Sequence, residues 1–120
     1  MAAKDDLGRA GEQHAAEHLE SLGYTILDRN WRCSQGEIDI VATSGDSLCI
    51  VEVKTRRSEA FGAPLEAIDE RKRRRLWRLA FAWAIAHPDD ARHRELRLEA
   101  IGIVGRDADH STLEHIEDLR

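Results

Sequence analysis

At 120 residues, the chain is long enough to bury one core but too short for two cores and a linker, so a single domain over residues 1–120 is expected. Its longest uninterrupted apolar run, Leu79 to Ala86, falls well short of the roughly 20 residues of a membrane span. The opening Met1-Ala2-Ala3-Lys4-Asp5-Asp6 also lacks the apolar stretch of a signal peptide, so a soluble, cytoplasmic protein without a membrane partner is expected.

The formal net charge of −5, taken alone, argues weakly against a nucleic-acid partner. Its distribution argues the other way. From Lys54 to Arg78 nine Lys/Arg face four Asp/Glu, a local sum of +5 that leaves −10 for the rest of the chain. Such asymmetry within one domain suits a basic face that meets polyphosphate. Cys33 and Cys49 stand alone, without the spacing of a zinc knuckle or a disulfide framework, and read as buried or partly buried free thiols.

In chain order, Asp6 to Leu22 reads as a helix, with Asp5 or Asp6 as N-cap, small or apolar residues at Leu7, Ala10, Gly11, Ala15, Leu19 and Leu22, and Gly23 as the stop. Tyr24 to Trp31 reads as a strand, followed by a turn around Cys33 to Gln35. Two further strands, Glu37 to Thr43 and Leu48 to Thr55, flank Ser44-Gly45-Asp46-Ser47, a hairpin signal. After a loop at Ser58 to Gly62, Pro64 opens a long helix ending at His87-Pro88, with an apolar stripe of Leu65, Ile68, Leu76, Leu79, Ala80 and Trp83. Leu96 to Val104 alternates as a strand, Gly105 to His110 is a turn-rich break, and Thr112 to Leu119 suits a short strand or a frayed helix. The order α-β-β-β-α-β indicates an α/β domain, a mixed sheet flanked by helices.

The hairpin register carries the chemistry. If the turn closes symmetrically about Gly45-Asp46, facing residues sum to 91, so Asp39 lies opposite Glu52 and Glu37 opposite Lys54. Strict alternation then places these four on one face and Ile38, Ile40, Val51 and Val53 on the other. Facing carboxylates repel, by a few tenths to about one kcal/mol in a sheet, and Mg²⁺ or Mn²⁺ is the natural remedy, because hard cations take oxygen ligands. Lys54 would steady an attacking water and the charge building on a phosphorane. A lone Glu-x-Lys on a strand is usually a solvated face with a mild ion pair. An acidic pair in register, a lysine at i+2 and a basic segment directly after it form a more specific pattern.

Gly8-Arg9-Ala10-Gly11-Glu12, Gly23-Tyr24, Asn30-Trp31-Arg32, Gly36-Glu37-Ile38-Asp39, Val51-Glu52-Val53-Lys54-Thr55-Arg56, Phe61-Gly62 and Lys72 together resemble the YraN family of uncharacterised bacterial proteins. That family is similar to restriction-endonuclease-like PD-(D/E)XK folds and to archaeal Holliday-junction resolvases. The resemblance implies Asp39 and Glu52 as metal ligands, Lys54 as the catalytic lysine, and a metal-directed role for Glu12. Three departures stand out: Ile38 replaces the motif's proline, Arg97-Leu98-Glu99 stands where the family has Arg-Phe-Asp, and the tail ends Glu117-Asp118-Leu119-Arg120 in place of a small-aromatic pair.

Among the remaining features, Arg71 to Arg75 cannot all share one helical face. Some are solvated; Lys72, on the inward stripe, with Arg73 and Arg75, would extend a phosphate track begun by Arg56 and Arg57. His14 and His18 have a spacing zinc could use, but no third ligand falls in a known pattern, so they read as structural or exposed. Trp83 reads as core, and Trp77 as core or base-stacking.

The leading expectation is a Mg²⁺- or Mn²⁺-dependent endonuclease acting on DNA, branched or structured DNA included, with Asp39, Glu52 and Glu12 on the metal, Lys54 assisting and Glu37 as a further carboxylate. A homodimer is possible. The alternatives are a non-catalytic nucleic-acid-binding module that keeps the nuclease fold, and an interaction protein whose basic face meets an acidic partner.

Overall fold

The computed structural model describes residues 3–60, 62–105 and 110–119. Phe61 and the centre of the expected break at Gly105 to His110 lie outside them.

Helix α1 (Ala3–Ser21) leads through Leu22-Gly23 into β1 (Thr25–Cys33), β2 (Gly36–Ser44) and β3 (Ser47–Arg56). A single 3₁₀ turn (Pro64–Ala67), α2 (Glu70–Ala86) and the short α3 (Pro88–Ala91) then return the chain to β4 (Glu95–Gly105) and β5 (Ser111–Ile116). The sheet order is β1-β2-β3-β4-β5; only the β3–β4 pair is parallel, as the intervening helix requires. The mixed sheet flanked by helices is the expected α/β fold. The tail is a strand, pairing antiparallel with β4.

Two helix boundaries differ from expectation. Helix α1 begins at Ala3, ahead of the expected start at Asp6. The long second helix is two pieces: Ile68 takes an extended conformation after the 3₁₀ turn, and the Asp69 carboxylate caps α2 by accepting the Lys72 amide at 2.9 Å. An Asp that satisfies a free helix-end amide in this way starts a helix and does not continue one.

The core has two layers. Ala15, Ala16 and Leu19 of α1, with Tyr24, cover Ile40, Ala42, Cys49, Val51, Ile101 and Ile103 on one face of the sheet. Leu76, Leu79, Ala80 and Trp83 of α2 cover Ile38, Val41, Leu48, Ile50 and Leu98 on the other. Trp83 is a core residue, as its place in the stripe required, and its indole N–H donates to Asp28 at 3.0 Å. Cys49 is buried and Cys33 half-buried; both are free thiols.

Ile38 and Ile40 are two residues apart yet lie in opposite layers. Alternation should put them together, so the strand slips by one residue of phase at Asp39. Strand β1 slips beside it: the ladder pairs Arg29 with Ile40 and Trp31 with Ile38 but skips Asn30 and Asp39. Asn30 takes a left-handed φ of 54°, a conformation that Asn tolerates better than most residues. The expectation that Ile38 shares a face with Ile40, Val51 and Val53 is thereby corrected.

Candidate functional site

The β2–β3 hairpin closes at Gly45, whose φ of 58° is the left-handed geometry a tight reversal demands. Its register is the expected one, from Ser44 facing Ser47 through Ile40 facing Val51. There the ladder stops. Beyond it the Asp39 carboxylate accepts the Val53 amide at 2.8 Å, taking the place of a strand carbonyl. A side chain used this way lies close to the plane of the sheet, where it can meet groups from both faces.

It meets three carboxylates. The Glu52 carboxyl of β3 lies close enough to raise the Asp39 carboxyl, and one oxygen each from Glu12, Glu37 and Asp39 come within 4.8 Å of one another. Glu37 reaches this group because of the phase slip, which turns it to the α1 side. The expected pairing of Glu37 with Lys54 is therefore not formed; Glu37 is the register partner of Arg32 and pairs with its guanidinium at 3.0 Å. Glu52, only 6% exposed, has the Lys54 ammonium 3.4 Å away.

Burial, followed by the neighbouring Glu52 carboxylate, pushes the Asp39 carboxyl up to about 8, against a weaker opposing effect from the Val53 amide. Burial also raises Glu12, with Glu37 adding to it and a hydrogen bond to Asn30 opposing it. Lys54 and the Arg32 guanidinium set two paired cations against four carboxylates, and groups perturbed by desolvation and like charge make a candidate functional site.

Glu12 is placed by its neighbour. A Cβ added to Gly11 would stand 2.2 Å from the Thr55 hydroxyl oxygen, so only glycine lets α1 approach β3 this closely. This contact sets Glu12 over the point where β2 and β3 part.

The basic residues are divided between two grooves. Lys72 and Arg75 line a groove of about 320 Å³ with Asp69, Arg71 and Arg78. Arg57 lines a separate groove of about 750 Å³ between the end of β3 and β5. The two share no lining residue. Arg56 is exposed at the end of β3, and Arg73 is half-buried and lines neither groove.

A second polar cluster went unread in the sequence. Glu99, fully buried on β4, accepts hydrogen bonds from the Tyr24 hydroxyl at 3.0 Å and the Arg97 guanidinium at 2.8 Å, and bonds His115 Nε2 at 2.7 Å. His115 Nδ1 lies 3.1 Å from His18 Nε2. Burial, then Glu99, raises Tyr24 above its ordinary range, and the same two causes push the Cys49 thiol up to about 12. Burial and the neighbouring histidines hold His18 below the usual value. The available signal was Arg97 and Glu99 at alternate positions of a strand that is apolar from Leu96 to Val104 apart from these two charges.

The family model described as "Uncharacterised protein family UPF0102" matches residues 11–103. The chain belongs to UPF0102. A UPF0102 protein from Arthrobacter sp. (strain FB24) is 52% identical over 119 residues, covering 99% of both chains. Another from Paenarthrobacter aurescens (strain TC1) is 47% identical, covering 99% of this chain and 97% of its own. A third, from Acidothermus cellulolyticus, is 45% identical with 96% and 93% covered. The matched UPF0102 region spans Glu12, Glu37, Asp39, Glu52, Lys54 and the basic helix; His115 lies beyond it. Among the described residues no helix is long and apolar enough to cross a membrane.

Proposed function

We propose that this UPF0102 protein is a divalent-metal-dependent phosphodiesterase that cuts nucleic acid, with DNA, branched or otherwise structured, as its substrate. The observation that carries the reading is the gathering of one oxygen each from Glu12, Glu37 and Asp39 within 4.8 Å of one another, with the buried Glu52 and its Lys54 partner alongside. This donor set is all oxygen, without imidazole or thiolate, and so fits Mg²⁺ or Mn²⁺. Glu12, Glu37, Asp39 and Glu52 would hold the ion, which when bound supplies Lewis-acid charge for phosphoryl oxygens.

The chain's own groups do the rest. Lys54, tethered to Glu52, holds a positive charge beside the reacting phosphate, where preorganised charge counts most. The groove of Lys72, Arg75, Arg71 and Arg78 grips the backbone without reading sequence. Cutting both arms of a branched molecule needs two sites, so a homodimer accompanies that form of substrate.

The test is a screen of linear, flapped, nicked and four-way DNA in Mg²⁺ and Mn²⁺, with Asp39→Ala and Lys54→Ala run alongside. The expected result is cleavage that falls on the order of 100-fold or more in each variant. Two folded variants cutting at the wild-type rate would falsify the assignment. Salt-dependent DNA binding without any cleavage would favour the non-catalytic binding module, and no binding at low salt the interaction protein.

A further inference from the structure

Helix α2 carries a second apolar strip besides its buried one. Leu76, Leu79, Ala80 and Trp83 face the sheet, while Trp77, Phe81 and Ile85, spaced one turn apart, run along a side of the helix turned away from it. Phe81 is 55% exposed and Ile85 81%, and Trp77 is half-buried against the core layer. The Trp77 and Phe81 rings are near-parallel, with centroids 5.9 Å apart and planes at 28°, within the range of an offset-stacked pair. Scattered exposed apolar residues need no explanation; two aligned rings beside a row of arginines do.

Arg78, one position after Trp77, is exposed and also lines the groove of Lys72 and Arg75, so rings and cations adjoin on one helix. A Cβ added to Gly36 would stand 3.8 Å from Leu79, so this part of α2 packs on the end of β2 that carries Glu37 and Asp39. Charge decides what the strip fits. A second copy of the chain would bring Arg74 and Arg78 against their own counterparts, like charge on like. An extended anionic membrane would also face the −10 of the remaining chain. A duplex keeps its base faces stacked on one another. A single strand of nucleic acid is narrow and offers phosphates to the cations and free base faces to the rings.

We propose that Trp77 and Phe81 form a stacking platform for unpaired bases, with Arg78 and the adjoining groove of Lys72 and Arg75 on the phosphates. The substrate then comes to the carboxylate site with a single-stranded arm. This deepens the proposed nuclease reading and rests on it for the cleavage, though not for the binding.

The test is fluorescence anisotropy of the full chain with a labelled oligo-dT and a duplex of equal length, in EDTA so that no cleavage intervenes. Expected are tighter binding of the single strand and quenching of tryptophan fluorescence on binding it. Phe81→Ala should weaken single-strand binding by about 5-fold or more and leave duplex binding unchanged. Phe81→Tyr, which keeps a ring, should match wild type, and Phe81→Leu, which keeps only apolar bulk, should match Phe81→Ala. Ile85→Ser should bind as wild type does. Both positions are exposed, so all variants should keep the wild-type far-UV circular dichroism. The proposal is overturned if wild type shows no preference for the single strand, if Phe81→Ala binds it as tightly as wild type, or if Ile85→Ser weakens binding equally. In the last two cases the strip is an apolar docking face, and sedimentation velocity and flotation with phosphatidylserine vesicles would tell a second copy from a membrane. Single-strand preference that depends on Phe81, without cleavage of any substrate in Mg²⁺ or Mn²⁺, would sink the proposed chemistry and leave the platform standing.

Discussion

The Asp39 carboxylate accepts the Val53 amide at 2.8 Å, standing in for the backbone carbonyl that would have continued the β2–β3 ladder. A strand pair that could have run further is parted there by a side chain, and the opening is lined with carboxylates.

That relationship has a pH signature. The folded Asp39 carboxyl is raised to about 8 from an ordinary value of 3.8. An acid raised in the folded state contributes stability that is fully present below its unfolded pKa and is lost as pH rises through the folded one. Between pH 4 and about 8 Asp39 should therefore erode stability, by at most about 1.4 kcal/mol per pH unit. Asp39→Asn keeps an acceptor for Val53 and removes the titration. Urea unfolding from pH 4 to 9 without divalent ions should give a flatter profile for the variant and higher stability than wild type near pH 8.

Metal should reverse the sign. Binding at Asp39 requires the deprotonated carboxylate, so Mn²⁺ affinity should rise as pH approaches 8, with proton release on binding. Mn²⁺ should raise the wild-type Tm more at pH 8 than at pH 6. For Asp39→Asn the shift should shrink at both, as differential scanning fluorimetry would read. Equal shifts in the two proteins would remove Asp39 from the ion.

Gly11 is the steric gate for Glu12. Gly11→Ala places a methyl 2.2 Å from the Thr55 hydroxyl, and Thr55 Cγ2 and Cβ are only 3.1 and 3.2 Å away, so a change of rotamer offers little room. Overpacking of this kind costs about 1–3 kcal/mol. Adding Thr55→Ala should recover part of that loss, and a double-mutant cycle in urea would measure the coupling.

Glu99 should be among the costliest side chains to remove. Truncation to Ala strands Arg97 and leaves the Tyr24 hydroxyl and His115 without their acceptor. Breaking a buried ionic group on one side typically costs about 3–5 kcal/mol. Chemical denaturation should show Glu99→Ala well below Glu99→Gln, which retains an acceptor.

The basic groove makes an electrostatic forecast. If Lys72 and Arg75 contact phosphates, changing each to Gln should weaken DNA binding about equally for all sequences and reduce the magnitude of the log K against log salt slope by roughly 1 per residue. Fluorescence anisotropy across a salt series would measure it. An unchanged slope would take the groove off the DNA path.

Much of the molecule is legible in residue order because it rests on local backbone periodicity. The hairpin register follows from the symmetric turn at Gly45-Asp46, and Trp83 falls in the core because it repeats at helical spacing with Leu76, Leu79 and Ala80. Asp39 lies near Glu52 as that register led one to expect, but the ladder itself ends at Ile40 and Val51, and Lys54 stands beside Glu52 through simple alternation along β3.

What sequence alone determined, then, was the kind of fold and the identity of the acidic hairpin, since turn chemistry and the two- and 3.6-residue periods are properties of neighbouring residues. Only the tertiary structure decided that Glu37 and Glu12 join Asp39, that one long helix is two, and that His115 meets His18 and Glu99. These depend on a phase slip shared by two paired strands and on residues brought together across up to 97 positions of chain. Packing of two layers against one sheet sets such contacts, and no local period encodes it.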